Sequence, residues 1–174
     1  MQGDVHSTGL LVDEYRRPVP LLAAGQALAR QAHAMMDVSD GLLIDLSRLC
    51  EASGCAAEVD LEALPLSRAF VAELGQDRRA RLFAATGGDD YALLAALPEG
   101  VDPLALSLPS DSTIAAVGRL AEGSGITLGD AAGPVRLPER TVELAHSGSV
   151  SVEETTYFGM LLNLSANSPS RSGH

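Results

Sequence analysis

Met36-Asp37-Val38-Ser39-Asp40-Gly41-Leu42-Leu43 leads out of a short apolar run, round a glycine turn and into a segment of helical periodicity. The order is strand, turn, helix. Ala34 to Val38 has the length and apolarity of a buried strand. From Gly41 to Ala52 the residues Leu42, Leu46, Leu49 and Cys50 share one helical face, with Asp45, Arg48 and Glu51 on the other. Ser39 or Asp40 is placed to cap this helix, and Gly54 to stop it. The turn gathers two carboxylates and a hydroxyl. Carboxylates so near one another repel unless a proton or cation lies between them, and a hard ion such as Mg²⁺ is held by one or two carboxylates plus the phosphates it bridges. A second acidic glycine turn, Thr86-Gly87-Gly88-Asp89-Asp90-Tyr91, follows about fifty residues later.

Working outward, Arg16-Arg17-Pro18-Val19-Pro20 carries two prolines that favour extended backbone, so residues 1–20 read as a connector. Leu21 to Gln31 has helical spacing despite Gly25. Ala57 to Leu61 alternates as a half-exposed strand, and Leu66 to Leu74 and Asp77 to Ala85 read as two helices broken at Gly75. Tyr91 to Leu97 is a continuous apolar run, expected as a buried strand. Thr113 to Leu120 and Ile126 to Leu128 read as a strand pair joined at Glu122-Gly123-Ser124-Gly125. Residues 21–145 are expected to form the folded domain, and 146–174 a polar tail disordered at its end. This order predicts an α+β domain: a mixed sheet of mostly sequential strands with helices packed on a face.

The 174 residues have the length of one domain, long enough to bury a real core. Hydrophobic residues make up 46% and aromatics only 3%, so that core must be aliphatic. A formal charge of −11 argues against broad attraction to nucleic acid. Arg78, Arg79 and Arg81 cluster, but on an amphipathic helix they read as a solvated face. No apolar run reaches the length of a membrane span. Cys50 and Cys55 have neither a second Cys pair nor a His at metal-ligand spacing, and no secretory leader precedes them, so both are expected as free thiols in a reducing cytoplasm.

Each candidate residue also has a plainer explanation. Asp40 at a helix start could be only a cap, and Gly87-Gly88-Asp89-Asp90 is what an ordinary turn looks like. Capping does not explain Asp37, whose charge lies at the exit of an apolar strand. The chain has no G-x-x-x-x-G-K-[ST] loop and no protein-kinase motif set, so any ATP chemistry belongs to another class. The four histidines are scattered, and Ser39 lies in no nucleophile elbow, which leaves hydrolase chemistry without a basis.

Taken together, Ala34-Met35-Met36-Asp37-Val38-Ser39-Asp40-Gly41-Leu42, then Glu58-Val59-Asp60-Leu61 with Leu64-Pro65-Leu66-Ser67, then Thr86-Gly87-Gly88-Asp89-Asp90-Tyr91 resemble the C-terminal half of thiamine-monophosphate kinases. The resemblance spans about residues 10 to 120. It implies the fold shared with aminoimidazole ribonucleotide synthetase and a magnesium-dependent reaction in which ATP phosphorylates thiamine monophosphate to thiamine diphosphate. It further implies Asp37 and Asp40 as magnesium ligands and Ser39 as an ATP contact, with no covalent catalytic nucleophile. Asp89 stands where that family usually has a substrate-contacting Glu one methylene longer. The family's N-terminal domain carries most of its metal-binding aspartates, and nothing before Asp37 is long enough to be that domain. The chain therefore resembles about half an enzyme, with a missing N-terminal domain or a homodimer partner expected to complete it. Residues 137 to 174 match no part of the family pattern. Alternatives are another superfamily member, such as selenophosphate synthetase or a hydrogenase-maturation dehydratase, and a non-catalytic binding fragment.

Overall fold

The computed structural model describes residues 20–88, 92–110 and 112–136, together with the backbone of strand 156–163. Four helices are described: α1 (Leu22–Leu28), α2 (Leu42–Ser53), α3 (Arg68–Leu74) and α4 (Arg78–Thr86). The strands are β1 (Ala34–Val38), β2 (Ala56–Asp60), β3 (Ala92–Leu97), β4 (Ser112–Ala121), β5 (Gly125–Asp130), β6 (Gly133–Val135) and β7 (Thr156–Asn163). They form one mixed sheet in the order β1-β3-β7-β4-β2-β5-β6, antiparallel throughout except for the parallel β2–β5 pair. The expected α+β class is the one observed.

Two details of the expected sheet change. The strands are not laid down sequentially. β4 and β5 are joined by a short turn but do not pair; β2 lies between them, antiparallel to β4 and parallel to β5. The turn spans two strand spacings, with Gly123 and Gly125 at positive φ. The domain also does not stop at residue 145: β7 pairs with β3 on one side and β4 on the other. Its sequence, Thr156-Tyr157-Phe158-Gly159-Met160-Leu161-Leu162-Asn163, is the apolar part of a segment otherwise rich in Ser, Thr and Gly. The rest of the expected connector and of the expected tail lies outside the described residues.

β3 explains why the sheet carries helices on both faces. Ala92, Leu94 and Ala96 point into a core shared with Leu42, Leu43 and Leu46 of α2 and Ala85 of α4. Ala95 and Leu97 point the other way, to Ala24 and Leu28 of α1. An unbroken apolar run is what a strand covered on both sides requires. Each fully buried leucine in these layers contributes about 2 kcal/mol of apolar burial. Gly25 is tolerated in α1 because a Cβ there would press on Leu93 Cδ1 at 3.2 Å.

Helix ends follow local chemistry. Ser67 and Asp77 accept from the Phe70 and Ala80 amides and start α3 and α4. Gly54 ends α2 in the left-handed conformation, with the Cys55 amide on the Cys50 carbonyl and the Gly54 amide on that of Glu51. Cys50 and Cys55 thus meet as the apolar pair of this cap, both free and buried. Burial, then the neighbouring Cys55, pushes the Cys50 thiol up to about 12. Arg78 and Arg79 are exposed, as a solvated face requires, but Arg78 and the half-buried Arg81 also act as clamps. Arg78 pairs with Asp130 through Nε at 2.5 Å and Nη2 at 2.8 Å. Arg81 Nη1 donates to the Leu61 and Leu64 carbonyls, both at 3.0 Å, and so fastens α4 to the 3₁₀ turn after β2.

Two outcomes are expected. Replacing Arg81 with Ala should lower unfolding free energy in urea by about 2 kcal/mol, the scale of hydrogen bonds to a charged donor; a loss below about 0.5 kcal/mol would show the clamp to be idle. A thiol raised on folding stabilises the folded state fully below its ordinary value, and that contribution is lost as pH rises from 9.0 through about 12. Iodoacetamide at pH 8 should accordingly label Cys50 far more slowly in the folded chain than in urea, as followed by mass spectrometry.

Candidate active site

β1 and β3 pair antiparallel with Val38 opposite Ala92, so the turn leaving β1 and the segment entering β3 emerge at the same end of the sheet. The two acidic glycine turns, about fifty residues apart in sequence, are packed backbone to backbone there. A Cβ on Gly41 would lie 2.7 Å from the Gly87 carbonyl oxygen and 3.1 Å from that of Thr86. One on Gly88 would lie 3.0 Å from the Ser39 carbonyl oxygen. Gly41 also has φ 115°, a region that disfavours side chains.

Asp37, Ser39 and Asp40 are all exposed, around the fully buried Val38. Asp37 lies at the end of β1, whose outer edge has no strand partner among the described residues, so β1 is half covered rather than buried. Its charge faces solvent and needs no protein partner. Asp89, with Asp90 and Tyr91, lies outside the described residues.

The helix start is organised differently from the expected cap. Gly41 is the N-cap of α2 and no side chain caps it; neither Ser39 nor Asp40 does so. Asp45, expected on the solvent face, is instead 1% exposed and reaches back from the first turn. Its Oδ2 accepts from the Ser39 amide at 2.8 Å and the Asp40 amide at 3.0 Å. Its Oδ1 accepts from Arg48 Nη1 at 2.8 Å. The same nitrogen donates to Asp40 Oδ2 at 2.6 Å. Helical periodicity placed Asp45 outside because it takes no account of a turn folded over the helix end. Arg48, three residues after Asp45, was the available signal for this network. Asp40, first by its hydrogen bond, raises the Arg48 pKa above its ordinary value.

The donor set can be tested for a divalent ion. Asp37 and Asp40 offer exposed hard oxygens close to one helix start, and no group of three or more His, Cys, Asp or Glu able to hold a metal occurs among the described residues. Such a set suits Mg²⁺ shared with phosphate oxygens and water, not a closed protein cage. A cleft of about 810 Å³ lies elsewhere, over β2, β4 and β5, lined among others by Glu58, Asp60, Arg119 and Gly129. It includes none of the turn residues, and it is bordered by the Arg119–Glu58 and Arg78–Asp130 pairs.

The family description "AIR synthase related protein, C-terminal domain" matches residues 2–130. The chain belongs to that family. It is 44% identical over 89 residues to the thiamine-monophosphate kinase of Salmonella typhimurium, covering 51% of this chain and 27% of that one. The crystal structure of thiamine monophosphate kinase from Aquifex aeolicus superposes with a TM-score of 0.58 at 26% identity, over 78% of this chain and 44% of that one. A further solved structure, AaThiL complexed with AMPPCP and TMP, gives a TM-score of 0.58 at 28% identity, over 72% and 40% of the two chains. The chain spans only 27% to 35% of the length of the first curated relatives it matches. The family assignment agrees with the mixed sheet.

Asp45→Asn would set an amide NH₂ or a neutral oxygen against three donors that now meet a carboxylate. It should destabilise the domain by about 2 kcal/mol, the scale of hydrogen bonds to a charged, buried acceptor. Chemical denaturation checks this, and an unchanged midpoint would show the network to be dispensable.

Proposed function

We propose that this chain is the C-terminal part of a thiamine-monophosphate kinase, in which ATP phosphorylates thiamine monophosphate to thiamine diphosphate. The observation that carries the proposal is the close packing of the 39–41 and 86–88 turns. That packing sets Asp37, Ser39 and Asp40 beside the segment that leads to Asp89. Support comes from the relatives named as thiamine-monophosphate kinases and from the related structure complexed with AMPPCP and TMP.

The reaction breaks the bond between the γ-phosphorus of ATP and its bridging oxygen, joins that phosphorus to a phosphate oxygen of thiamine monophosphate, and releases ADP. Phosphoryl transfer asks chiefly for alignment and charge neutralisation, which fits a site without a nucleophilic side chain. Mg²⁺, when bound, supplies that neutralisation. Asp37 and Asp40 hold the ion, and Ser39 contacts ATP. Asp89 contacts thiamine monophosphate, from a side chain shorter by one methylene than the family's Glu. The glycines bring backbone close to the substrates, and the start of α2, without a side-chain cap, presents amide donors to a phosphate. Buried Asp45 keeps the turn in shape.

Further metal and nucleotide ligands are supplied by another domain of an enzyme of the relatives' full length or by a homodimer partner. An ATP-consuming enzyme with two free thiols belongs in the cytoplasm. No helix among the described residues is long and apolar enough to cross a membrane.

The test is a coupled assay of thiamine diphosphate formation from ATP and thiamine monophosphate, with this chain alone and mixed with the N-terminal half of a family enzyme. Turnover in the mixture is expected. Its absence there, with both parts folded, would favour a non-catalytic binding fragment, and turnover with selenide in place of thiamine monophosphate would favour selenophosphate synthesis. In the active mixture Asp37→Asn should lower kcat/KM by about a hundredfold while shifting stability by less than about 0.5 kcal/mol.

A further inference from the structure

Arg48 joins a carboxylate of the turn, Asp40, to one of the helix, Asp45, through a single nitrogen. Nη1 lies 2.6 Å from Asp40 Oδ2 and 2.8 Å from Asp45 Oδ1. The two contacts differ in kind. Asp45 is buried and also holds two backbone amides, so that end is anchored. Asp40 has a side chain 53% exposed and the Arg48 side chain is 51% exposed, so the other contact faces water. Exposed ion pairs are weak and exchange readily. A cation that coordinates Asp40 through Oδ2 must take that oxygen from the guanidinium, because a carboxylate oxygen held at 2.6 Å by an arginine is not a free ligand.

We propose that Arg48 is a positioning residue that acts as an exchangeable counter-ion: anchored on Asp45, it competes with a divalent cation for Asp40 and so sets the cation affinity of the turn. This rests on the reading of Asp40 as a metal ligand. The competition holds the Asp40 side chain oriented before the ion arrives.

The experiment uses Mn²⁺ as the probe on this chain mixed with the N-terminal half of a family enzyme, with free ion counted by electron paramagnetic resonance at low ionic strength. Arg48→Gln should bind Mn²⁺ about fivefold more tightly than wild type, the size expected from removing one positive charge a few ångströms from a divalent ion. Arg119→Gln removes the same charge from the Glu58 pair on the sheet and should stay within about twofold. Unchanged or weaker binding by Arg48→Gln, with Asp40→Asn weaker than wild type, would overturn the competition and leave Asp40 a ligand. Binding unaffected by Asp40→Asn, or no binding by wild type and Arg48→Gln alike, would sink the ligand reading and this inference with it. Should Arg48→Gln not fold, titrating wild type with Mg²⁺ decides the matter. The side-chain Nε resonance of Arg48 should move while that of Arg119 does not, and a stationary Arg48 signal would refute exchange.

Discussion

A charged carboxylate inside a protein must be given donors or it neutralises, and Asp45 is the charged side chain that the described residues bury. Its donors are two consecutive amides of the 39–40 turn and the Arg48 guanidinium. The requirement runs in both directions. The turn satisfies the carboxylate, and the carboxylate forces the turn to fold back over the first residues of α2. Gly41 has to accept φ 115° for the chain to make that reversal, and the backbone of 86–88 can then pack directly against it.

The second constraint is β3. Its six residues are apolar on both faces, so it can be stable only with a layer above and a layer below. One face is met by α2 and α4, the other by α1. Pairing with β1 at Val38–Ala92 carries the second glycine turn to the first, and pairing with β7 ties both to a strand recruited from the far end of the chain. The site is therefore a product of the sheet's register. A one-residue slip in the β1–β3 ladder would turn Val38 out of the core and part the two turns.

Much of this was legible in the residues. The helices from Leu42, Arg68 and Arg78 and the stop at Gly54 follow from local chemistry and lie within two residues of where they were expected. The strand at Ala92–Leu97 was legible from its unbroken apolarity. The strand from Thr156 was not, because its flanks are polar and its partners are distant in sequence. The pairing of β2 between β4 and β5 was hidden for the same reason: a short turn suggests a hairpin, and only competition with a third strand excludes it.

The two acidic turns, their glycines and the candidate residues Asp37, Ser39 and Asp40 are properties of the sequence itself, since turn chemistry and the wish of carboxylates for a cation are local. Whether a carboxylate one turn into a helix faces water or the core is not local. Helical periodicity sends Asp45 outward, and the tertiary structure alone brings it inward, because the chain before the helix folds across it and supplies the amides that let a charge be buried. The meeting of two turns fifty residues apart was likewise decided by strand pairing, whose long-range hydrogen bonds leave no trace in the spacing of either turn.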